Sequence, residues 1–271
     1  MTKYSNYQAK LPDHAGIIHY TETEHRLWAK LYAAQIANVH RYGAQEYLDG
    51  LAHLQLPADH IPQCQDISAV LTDLTGWRVA PVPALIGFAE FFDMLARRVF
   101  PAASFIRREA DFHYVKEPDI FHEIFGHTPL LTDPRFAAFS QSIGKFGQRA
   151  TAKDYPWLAR LYWFTIEFGL TVRDNSIKPL GAGLMSSPRE LAYAANSEIP
   201  ERRPFRLLEV LRTPYRIDIL QPVYFVLNDL DELFDLAECN LLEQVHQAQA
   251  LGLLPPHPAL ANSLHQFKEA S

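Results

Sequence analysis

Two histidines five residues apart stand out in the segment 119–129, which has the sequence DIFHEIFGHTP. On a regular α-helix, five steps of about 100° would place His122 and His127 about 140° apart, on different faces. They can meet at one point only if the helix deforms or ends between them, and Gly126 and Pro129 are residue types that end helices. The spacing is one residue longer than the zinc-protease motif His-Glu-x-x-His, whose histidines share a helical face. The segment therefore predicts a metal site of another geometry, or two separate buried histidines.

A carboxylate that could complete such a site is Glu167, the only acid in the apolar segment 155–170. An ionised carboxylate in apolar surroundings is costly unless a cation or hydrogen bonds compensate it. Arg160 and Arg173 are poor partners, because neither lies three or four residues away on a helix. Two neutral histidines and one carboxylate with open coordination positions are typical of non-heme Fe(II) oxygenases. We therefore expect His122, His127 and Glu167 to bind one metal ion.

Three sequence blocks carry a resemblance to a known family: HEIFGHTPL at 122–130, YWFTIEFGL at 162–170 and GAGLMSS at 181–187. Together they resemble the tetrahydropterin-dependent aromatic amino acid hydroxylases, and most of all the bacterial members that hydroxylate phenylalanine. The match runs from about residue 76 to residue 222, with the blocks in family order. The resemblance implies Fe(II) on the three ligands, a tetrahydropterin cofactor, O₂ as co-substrate, and conversion of L-phenylalanine to tyrosine.

The resemblance also assigns the residues that would bind the pterin. Backbone groups near Leu85, Ile86 and Phe88 would meet the pterin edge, and Phe91 would stack on its flat ring, as a planar apolar side chain can. Phe88 stands where relatives have a small polar residue. Glu123 would lie in the same pocket, near bound water. From the residues alone, Phe91 reads equally well as a core residue and Glu123 as an acid placed favourably in the first turn of a helix.

Substrate-binding residues are implied in the same way. A free amino acid needs a bidentate donor for its carboxylate, and the resemblance places Arg107 in that role. Ser186 would accept a hydrogen bond from a ligand histidine, and Ile217 matches a position that is acidic in tyrosine hydroxylases. The remaining cavity residues would be two aromatic rings, a proline and a glycine in a tight turn, namely Trp163, Phe168, Pro118 and Gly183. An exposed, salt-bridged arginine and ordinary core packing are the alternatives that the residue types leave open.

Hydrophobic periodicity predicts a mainly α fold with short β-strands in a single domain, 1–271, with an irregular N-terminal arm at 1–20. The resemblance implies that the regulatory and tetramerisation domains of animal relatives are absent, so that a monomer or small homo-oligomer is expected. Strands are predicted at 77–83, 205–208 and 217–220. Helices are predicted at 23–48, within 49–66, from Asp66 or Ser68 to residue 75, and at 88–100, 119–127, 135–147, 155–168, 188–196 and 228–250.

Composition narrows the possible partners and location. Of the 271 residues 48% are hydrophobic and 21% charged, which is ordinary for a globular enzyme. A net charge of −6 argues against a nucleic-acid or anionic-membrane partner. Only Cys64 and Cys239 occur, and no long uncharged apolar run is present, so the expected location is the cytoplasm.

Two other functions remain possible at this stage. A tryptophan hydroxylase of the same family would share every metal ligand. A zinc hydrolase could use Glu123 as its base, although the five-residue histidine spacing argues against it. A phosphate loop at 181–187 is rejected, because the Gly-Lys-Ser/Thr ending is missing.

Overall fold

The computed structural model describes residues 7–83, 86–113, 115 and 117–260. Helices form most of the regular structure. The α-helices are α1 (Glu22–Tyr42), α2 (Gln45–Leu54), α3 (Cys64–Thr75), α4 (Phe88–Ala96), α5 (Pro134–Arg149), α6 (Tyr155–Tyr162), α7 (Ala182–Met185), α8 (Pro188–Asn196), α9 (Leu207–Arg212), α10 (Asp231–Glu238) and α11 (Leu241–Leu251). Two π-helices, His122–His127 and Trp163–Glu167, and two short 3₁₀ segments, Glu109–Asp111 and Leu130–Thr132, complete the helical part.

Within the described residues, six short strands form two small sheets. Strands β1 (Arg78–Val82) and β2 (Val99–Ala103) pair in parallel, with Arg78 opposite Val99. The second sheet contains β3 (Leu170–Arg173), β4 (Ser176–Pro179), β5 (Glu201–Pro204) and β6 (Val223–Leu227), in the order β4-β3-β6-β5. Only the β3–β4 pair is antiparallel. Strand β3 begins three residues after Glu167 and therefore holds the end of the second π-helix in place.

One apolar core joins these elements. Its largest fully buried side chains come from α1, α2, α4, α5, both π-helices and β6, and include Trp28, Tyr47, Phe92, Phe121, Phe125, Phe136, Phe139, Phe164 and Phe225. The two π-helices thus run through the middle of the core, where packing over-determines their conformation. Within the described ranges, no helix combines the length and apolar character needed to cross a bilayer.

Several predicted helix boundaries are wrong. The helix predicted at 23–48 divides at Gly43, whose N–H bonds Val39 O at 2.8 Å, and the next amide, of Ala44, donates to Pro179 O instead of continuing the helix. The helix predicted at 88–100 stops at Ala96, because Arg98 adopts a left-handed φ of 57° and β2 follows. The helix predicted at 228–250 breaks into α10 and α11 around Cys239.

The two strands predicted late in the chain are also wrong. Leu207 begins α9, and residues 217–220 form an irregular loop, while the actual strands β5 and β6 lie just before and after these positions. Helix α3 starts at Cys64 with Gln63 as its cap, so Asp66 and Ser68 are interior residues. Its predicted end at Gly76 is confirmed, with the left-handed φ of 75° that favours glycine at a helix end.

Candidate metal centre and substrate cavity

The three predicted metal ligands lie together. Nε2 of His122 and Nε2 of His127 are 3.1 Å apart, and the Glu167 carboxylate lies 3.5 Å from the first and 3.2 Å from the second. His127 is almost fully buried, while His122 and Glu167 keep about 15% of their side chains exposed. The arrangement therefore has a closed inner side and one side that opens towards a cavity.

A π-helix explains how histidines five residues apart converge. Its i→i+5 hydrogen bonds lengthen each turn by about one residue, so positions i and i+5 come onto the same side. The helix deforms rather than ends at Gly126, which lies inside the π segment. A side chain at Gly126 would meet Ala182 O at 2.9 Å, so glycine allows α7 to pack directly on this helix. The hydroxyl of buried Tyr47 donates to Phe125 O and stabilises the widened turn.

The second π-helix delivers Glu167. Phe168 N donates to Trp163 O at 2.9 Å, which is the i→i+5 bond of this turn, and Thr165 Oγ1 donates to Leu161 O at 2.6 Å. Arg160, one of the two arginines judged to be poor partners of Glu167, donates to Pro156 O. Both deformed turns of the described chain thus carry the three predicted ligands.

Ser186 sets the tautomer of His122. The Ser186 hydroxyl donates to Ala182 O at 2.8 Å, so its oxygen is the acceptor for Nδ1–H of His122, also at 2.8 Å. With the proton on Nδ1, Nε2 of His122 carries a free lone pair that faces Glu167 and His127. The predicted hydrogen-bond partner of a ligand histidine is therefore in place.

Charge in this cluster favours a bound cation. Burial lowers the pKa of His122 to about 4, so this imidazole is neutral at pH 7 and can act as a ligand. Burial alone would raise the pKa of Glu167, but the two imidazoles hold that pKa below its ordinary value, so the carboxylate stays ionised. The ionised Glu167 carboxylate and the neutral His122 imidazole face the same buried point, and a cation at that point would compensate the carboxylate. The donor set, two imidazoles and one carboxylate, fits an iron ion with open positions.

Glu123 is a second carboxylate beside the same ligands. Its side chain is 11% exposed, and Oε2 lies 4.0 Å from His127 Nε2. His122, Glu123 and His127 also satisfy the geometry of a metal-binding group by themselves. Glu167 is the better-placed candidate ligand, because its oxygens approach both imidazoles more closely than the Glu123 carboxylate does. Burial, helped by the charges of Glu167 and Asp119, raises the pKa of Glu123 well above its ordinary range.

Arg107 is buried and held by Asp119, an acid to which the sequence analysis assigned no role. Nε and Nη2 of Arg107 donate to the two oxygens of Asp119, each at 2.8 Å, and the Arg107 amide adds a bond of 2.9 Å. Nη1 has only a distant contact, 3.4 Å, with Phe112 O. One edge of the guanidinium is therefore used for anchoring. Because Arg107 also lines the main cavity, its other edge can receive a carboxylate.

The main cavity has a volume of about 930 Å³ and opens onto His122 and Glu167. All seven predicted substrate-binding residues line it: Arg107, Pro118, Trp163, Phe168, Gly183, Ser186 and Ile217. The cavity thus combines a metal centre, a cationic donor and apolar walls, which is the composition of a small-molecule site. The role of each wall residue remains a prediction.

Gly183, which lines the main cavity, is required for a steric reason. A Cβ on Gly183 would lie 2.6 Å from Cζ of Phe168, so the Phe168 ring can occupy its position only over a glycine. Trp163 lies on the other face of that ring, with centroids 4.4 Å apart. Residues 182–185 form a short α-helix, α7, where a tight turn was predicted.

The residues predicted to bind pterin are less closely grouped. Phe91 contacts the Tyr162 ring at 5.3 Å, and that ring lies 6.2 Å from the His127 ring, so Phe91 borders the metal centre through Tyr162. Phe88 is 52% exposed and lines a second cavity of about 470 Å³ beside the first. Ile86 is partly buried. Leu85 lies outside the described residues.

The sequence analysis also missed two cavity residues from later in the chain. Glu190, on α8, and Gln221, before β6, line the main cavity and are bonded to each other. Asp119 had a recognisable signal, since it is an acid directly before the histidine helix and bonds His122 N at 3.1 Å, as a capping residue does. Gln221 had none, because two of its partners, Trp163 and Glu190, lie 58 and 31 residues away in the sequence.

Fold and site together define a mononuclear non-heme metal centre of the two-histidine, one-carboxylate class, built on paired π-helices. The chain belongs to the biopterin-dependent aromatic amino acid hydroxylase family, whose profile matches residues 2–240. It is 51% identical to the phenylalanine-4-hydroxylase of Pseudomonas aeruginosa over 254 residues, which covers 94% of this chain and 97% of that protein. The predicted family and the mainly α fold class are both confirmed.

Solved structures give the same relationship. The apo structure of the cold-active phenylalanine hydroxylase from Colwellia psychrerythraea 34H superposes with a TM-score of 0.90 at 47% identity, covering 93% of this chain and 97% of that one. The phenylalanine hydroxylase of Chromobacterium violaceum with bound oxidized Fe(III) has a TM-score of 0.85 at 36% identity, with coverage of 90% and 89%. The fold of this chain is therefore that of a family catalytic domain.

Proposed function

We propose that this protein is a phenylalanine 4-monooxygenase, which uses O₂ and a tetrahydropterin to convert L-phenylalanine to L-tyrosine. One observation carries the proposal: the His122–His127–Glu167 cluster and the free edge of Arg107 open into the same aromatic-walled cavity. The names of the relatives support the same substrate.

Each group has a defined task in this reaction. Arg107, held rigid by Asp119, binds the substrate carboxylate, and Trp163 and Phe168 hold the aromatic ring beside the metal. His122, His127 and Glu167 hold the iron, which with O₂ and tetrahydropterin supplies the oxidising chemistry. The apolar walls exclude water around the reacting ring. No side chain has to act as a nucleophile.

Phe91 and Glu123 are our candidates for the pterin side of the centre. Phe91 offers a ring next to Tyr162, and the raised pKa of buried Glu123 suits a hydrogen-bonding rather than a charged role. Ile217 supports phenylalanine over tyrosine as substrate, because an apolar residue lines the cavity where tyrosine hydroxylases have an acid. Ile86, Phe88 and Leu85 are proposed to contact the pterin through their backbones.

The test is amino acid hydroxylation by metal-stripped protein to which Fe(II) or Zn(II) is returned, with and without tetrahydropterin. We expect tyrosine from phenylalanine only with both Fe(II) and pterin. Preferential hydroxylation of tryptophan would leave the assignment of the metal site intact and show that tryptophan is the preferred substrate. Tight zinc binding with no turnover of any aromatic amino acid would overturn the proposal and favour a hydrolase.

Location and assembly are further parts of the proposal. Cys64 and Cys239 are unpaired, which suits the reducing cytoplasm. We expect a monomer or small homo-oligomer, which sedimentation of the purified chain would test, with a tetramer as the contradicting result.

A further inference from the structure

Gln221 is a buried side chain, 1% exposed, on the lining of the main cavity. Its amide oxygen accepts the indole N–H of Trp163 at 3.1 Å. Its amide nitrogen donates to two carbonyls of the preceding loop, Arg216 O at 2.8 Å and Ile219 O at 3.0 Å. Reversing the amide would place N–H against N–H and oxygen against two carbonyl oxygens. The orientation of the Gln221 side chain is therefore uniquely determined.

The backbone of Gln221 is anchored as firmly as its side chain. Gln221 N–H donates to Oε1 of Glu190 at 2.8 Å, and the hydroxyl of Tyr224 donates to the same oxygen at 3.0 Å. Glu190 lies on α8 and is itself 8% exposed. These bonds tie the end of loop 216–220 to a helix on another side of the cavity.

Gln221 is hydrogen-bonded to two walls of the cavity, the one that contains Trp163 and the one that contains Ile217. Trp163 is held by its N–H bond to Gln221 and by its ring contacts with Phe168 and Tyr215, each 4.4 Å between centroids. Ile217 lies in the loop whose carbonyls before and after it bond the Gln221 amide. Loss of the amide would remove the hydrogen bond of the Trp163 indole and both side-chain bonds to the loop carbonyls, while Arg216 keeps its bond to Leu260 O at 3.2 Å.

We propose that Gln221 is a positioning residue that fixes the distance between the Trp163 wall and the Ile217 wall and thereby selects phenylalanine over the larger tryptophan. This inference rests on the proposed function, since it concerns the substrate of the same site. Gln221 acts through Trp163 and Ile217 and needs no contact with the reacting atoms. A selective effect on amino acid binding, without one on the pterin, distinguishes this role from a merely structural one.

The principal variant is Gln221→Met, which keeps the length of the side chain and removes all three hydrogen bonds. On the Fe(II)-loaded protein, we expect the Kd of L-phenylalanine, measured by calorimetry, to rise about tenfold. The ratio of kcat/KM for phenylalanine to that for tryptophan should fall about tenfold, with the KM of tetrahydropterin unchanged. Gln221→Glu keeps an acceptor for Trp163 but places an oxygen against both loop carbonyls, so it should displace the Ile217 loop and change the ratio in the same direction.

Tyr224→Phe is the matched control. It removes the other hydrogen bond to Glu190 from a fully buried position that does not line the cavity, so the phenylalanine-to-tryptophan ratio should stay within about twofold. The proposal is overturned if folded Gln221→Met and Gln221→Glu proteins both keep the wild-type Kd and ratio, or if Tyr224→Phe changes them equally. Calorimetric binding separates the two proposals: wild-type protein that binds phenylalanine but does not hydroxylate it contradicts the function alone.

Discussion

Two clusters of buried charge border the cavity, and they are stabilised in opposite ways. In the first, Arg107 and Asp119 neutralise each other, and Asp119 accepts four N–H bonds, three from Arg107 and one from His122 N. Burial alone would raise the pKa of Asp119, but Arg107 keeps it below its ordinary value. In the second cluster, Glu167 faces two imidazoles, and the one on His122 is neutral at pH 7 because burial lowers its pKa to about 4.

The difference separates a supporting group from a reactive one. A balanced pair such as Arg107–Asp119 needs nothing from solution and serves as a rigid anchor. An ionised carboxylate that faces the lone pair of neutral His122 is incomplete within the chain, and a metal ion would complete it. The two clusters are also connected, because Asp119 Oδ1 accepts from both Arg107 Nη2 and the His122 amide. In the proposed function, substrate anchoring by Arg107 and positioning of the ligand His122 would therefore share one carboxylate.

The largest expected effect on activity comes from removing one side chain of the second cluster, which consists of His122, His127 and Glu167. His127→Ala should lose bound iron and reduce tyrosine formation by more than about a thousandfold, because a bound metal supplies several kcal/mol of catalysis. Iron per chain and the initial rate measure this. Exposed His53→Ala is the control and should match wild type. Retention of stoichiometric iron by His127→Ala would show that this histidine is not a ligand.

Removing one partner of the balanced cluster should mainly reduce stability. Asp119→Asn leaves Arg107, 6% exposed, without a counter-charge, and we expect a loss of about 3–5 kcal/mol in the free energy of unfolding. The KM for phenylalanine should rise as well, because Arg107 loses its orientation. Urea unfolding and substrate kinetics measure the two effects.

The exposed pair Asp93–Arg97 provides the matched control for that experiment. Its side chains are 46% and 62% exposed, and Asp93→Asn should leave the free energy of unfolding nearly unchanged. Equal losses in Asp119→Asn and Asp93→Asn would contradict the view that the buried pair is a structural anchor.

A smaller effect is expected from removing the hydrogen bond that orients His122. Ser186→Ala removes the acceptor of His122 Nδ1–H and should weaken iron binding about 10- to 100-fold. Competition with a chelator measures the affinity. Ser140→Ala is the control, because this buried serine bonds only Phe136 O within its own helix. Unchanged iron affinity in Ser186→Ala would mean that the surrounding packing alone orients the imidazole.

The same contrast explains which parts of the site could be predicted. The convergence of His122 and His127 followed from helix geometry, since five residues forced either a deformation or an end. Deformation prevailed because the widened turn lies in a packed core, with Gly126 against α7. The role of Asp119 was harder to predict, because its partner Arg107 lies twelve residues away in the sequence and contacts it only in the folded chain.

Turn-forming residues mark one element that was not predicted. The β3–β4 hairpin escaped prediction although Asp174 and Asn175, both with positive φ of 50° and 57°, are typical of its two-residue turn. The strand predicted at 217–220 failed because the Gln221 amide bonds the carbonyls of Arg216 and Ile219 and curls the loop. Gln221 is itself held by Glu190, 31 residues away, and Trp163, 58 residues away, and no local pattern reports those contacts.

Glu190, another buried carboxylate, sharpens the comparison, because two neutral donors, the Gln221 amide and the Tyr224 hydroxyl, bond its Oε1, while the charge of Arg189 is the smallest influence on its pKa. Burial raises its pKa from 4.5 to about 7, so between these values the native chain binds more protons than the unfolded chain. Stability contributed by Glu190 is thus complete below pH 4.5 and falls as the pH rises. Glu190→Gln keeps the acceptor oxygen without the titration. From pH 5 to pH 6, wild type should lose about 1 kcal/mol relative to this variant in urea unfolding. Parallel pH profiles would mean that Glu190 ionises in the native protein as readily as an exposed acid.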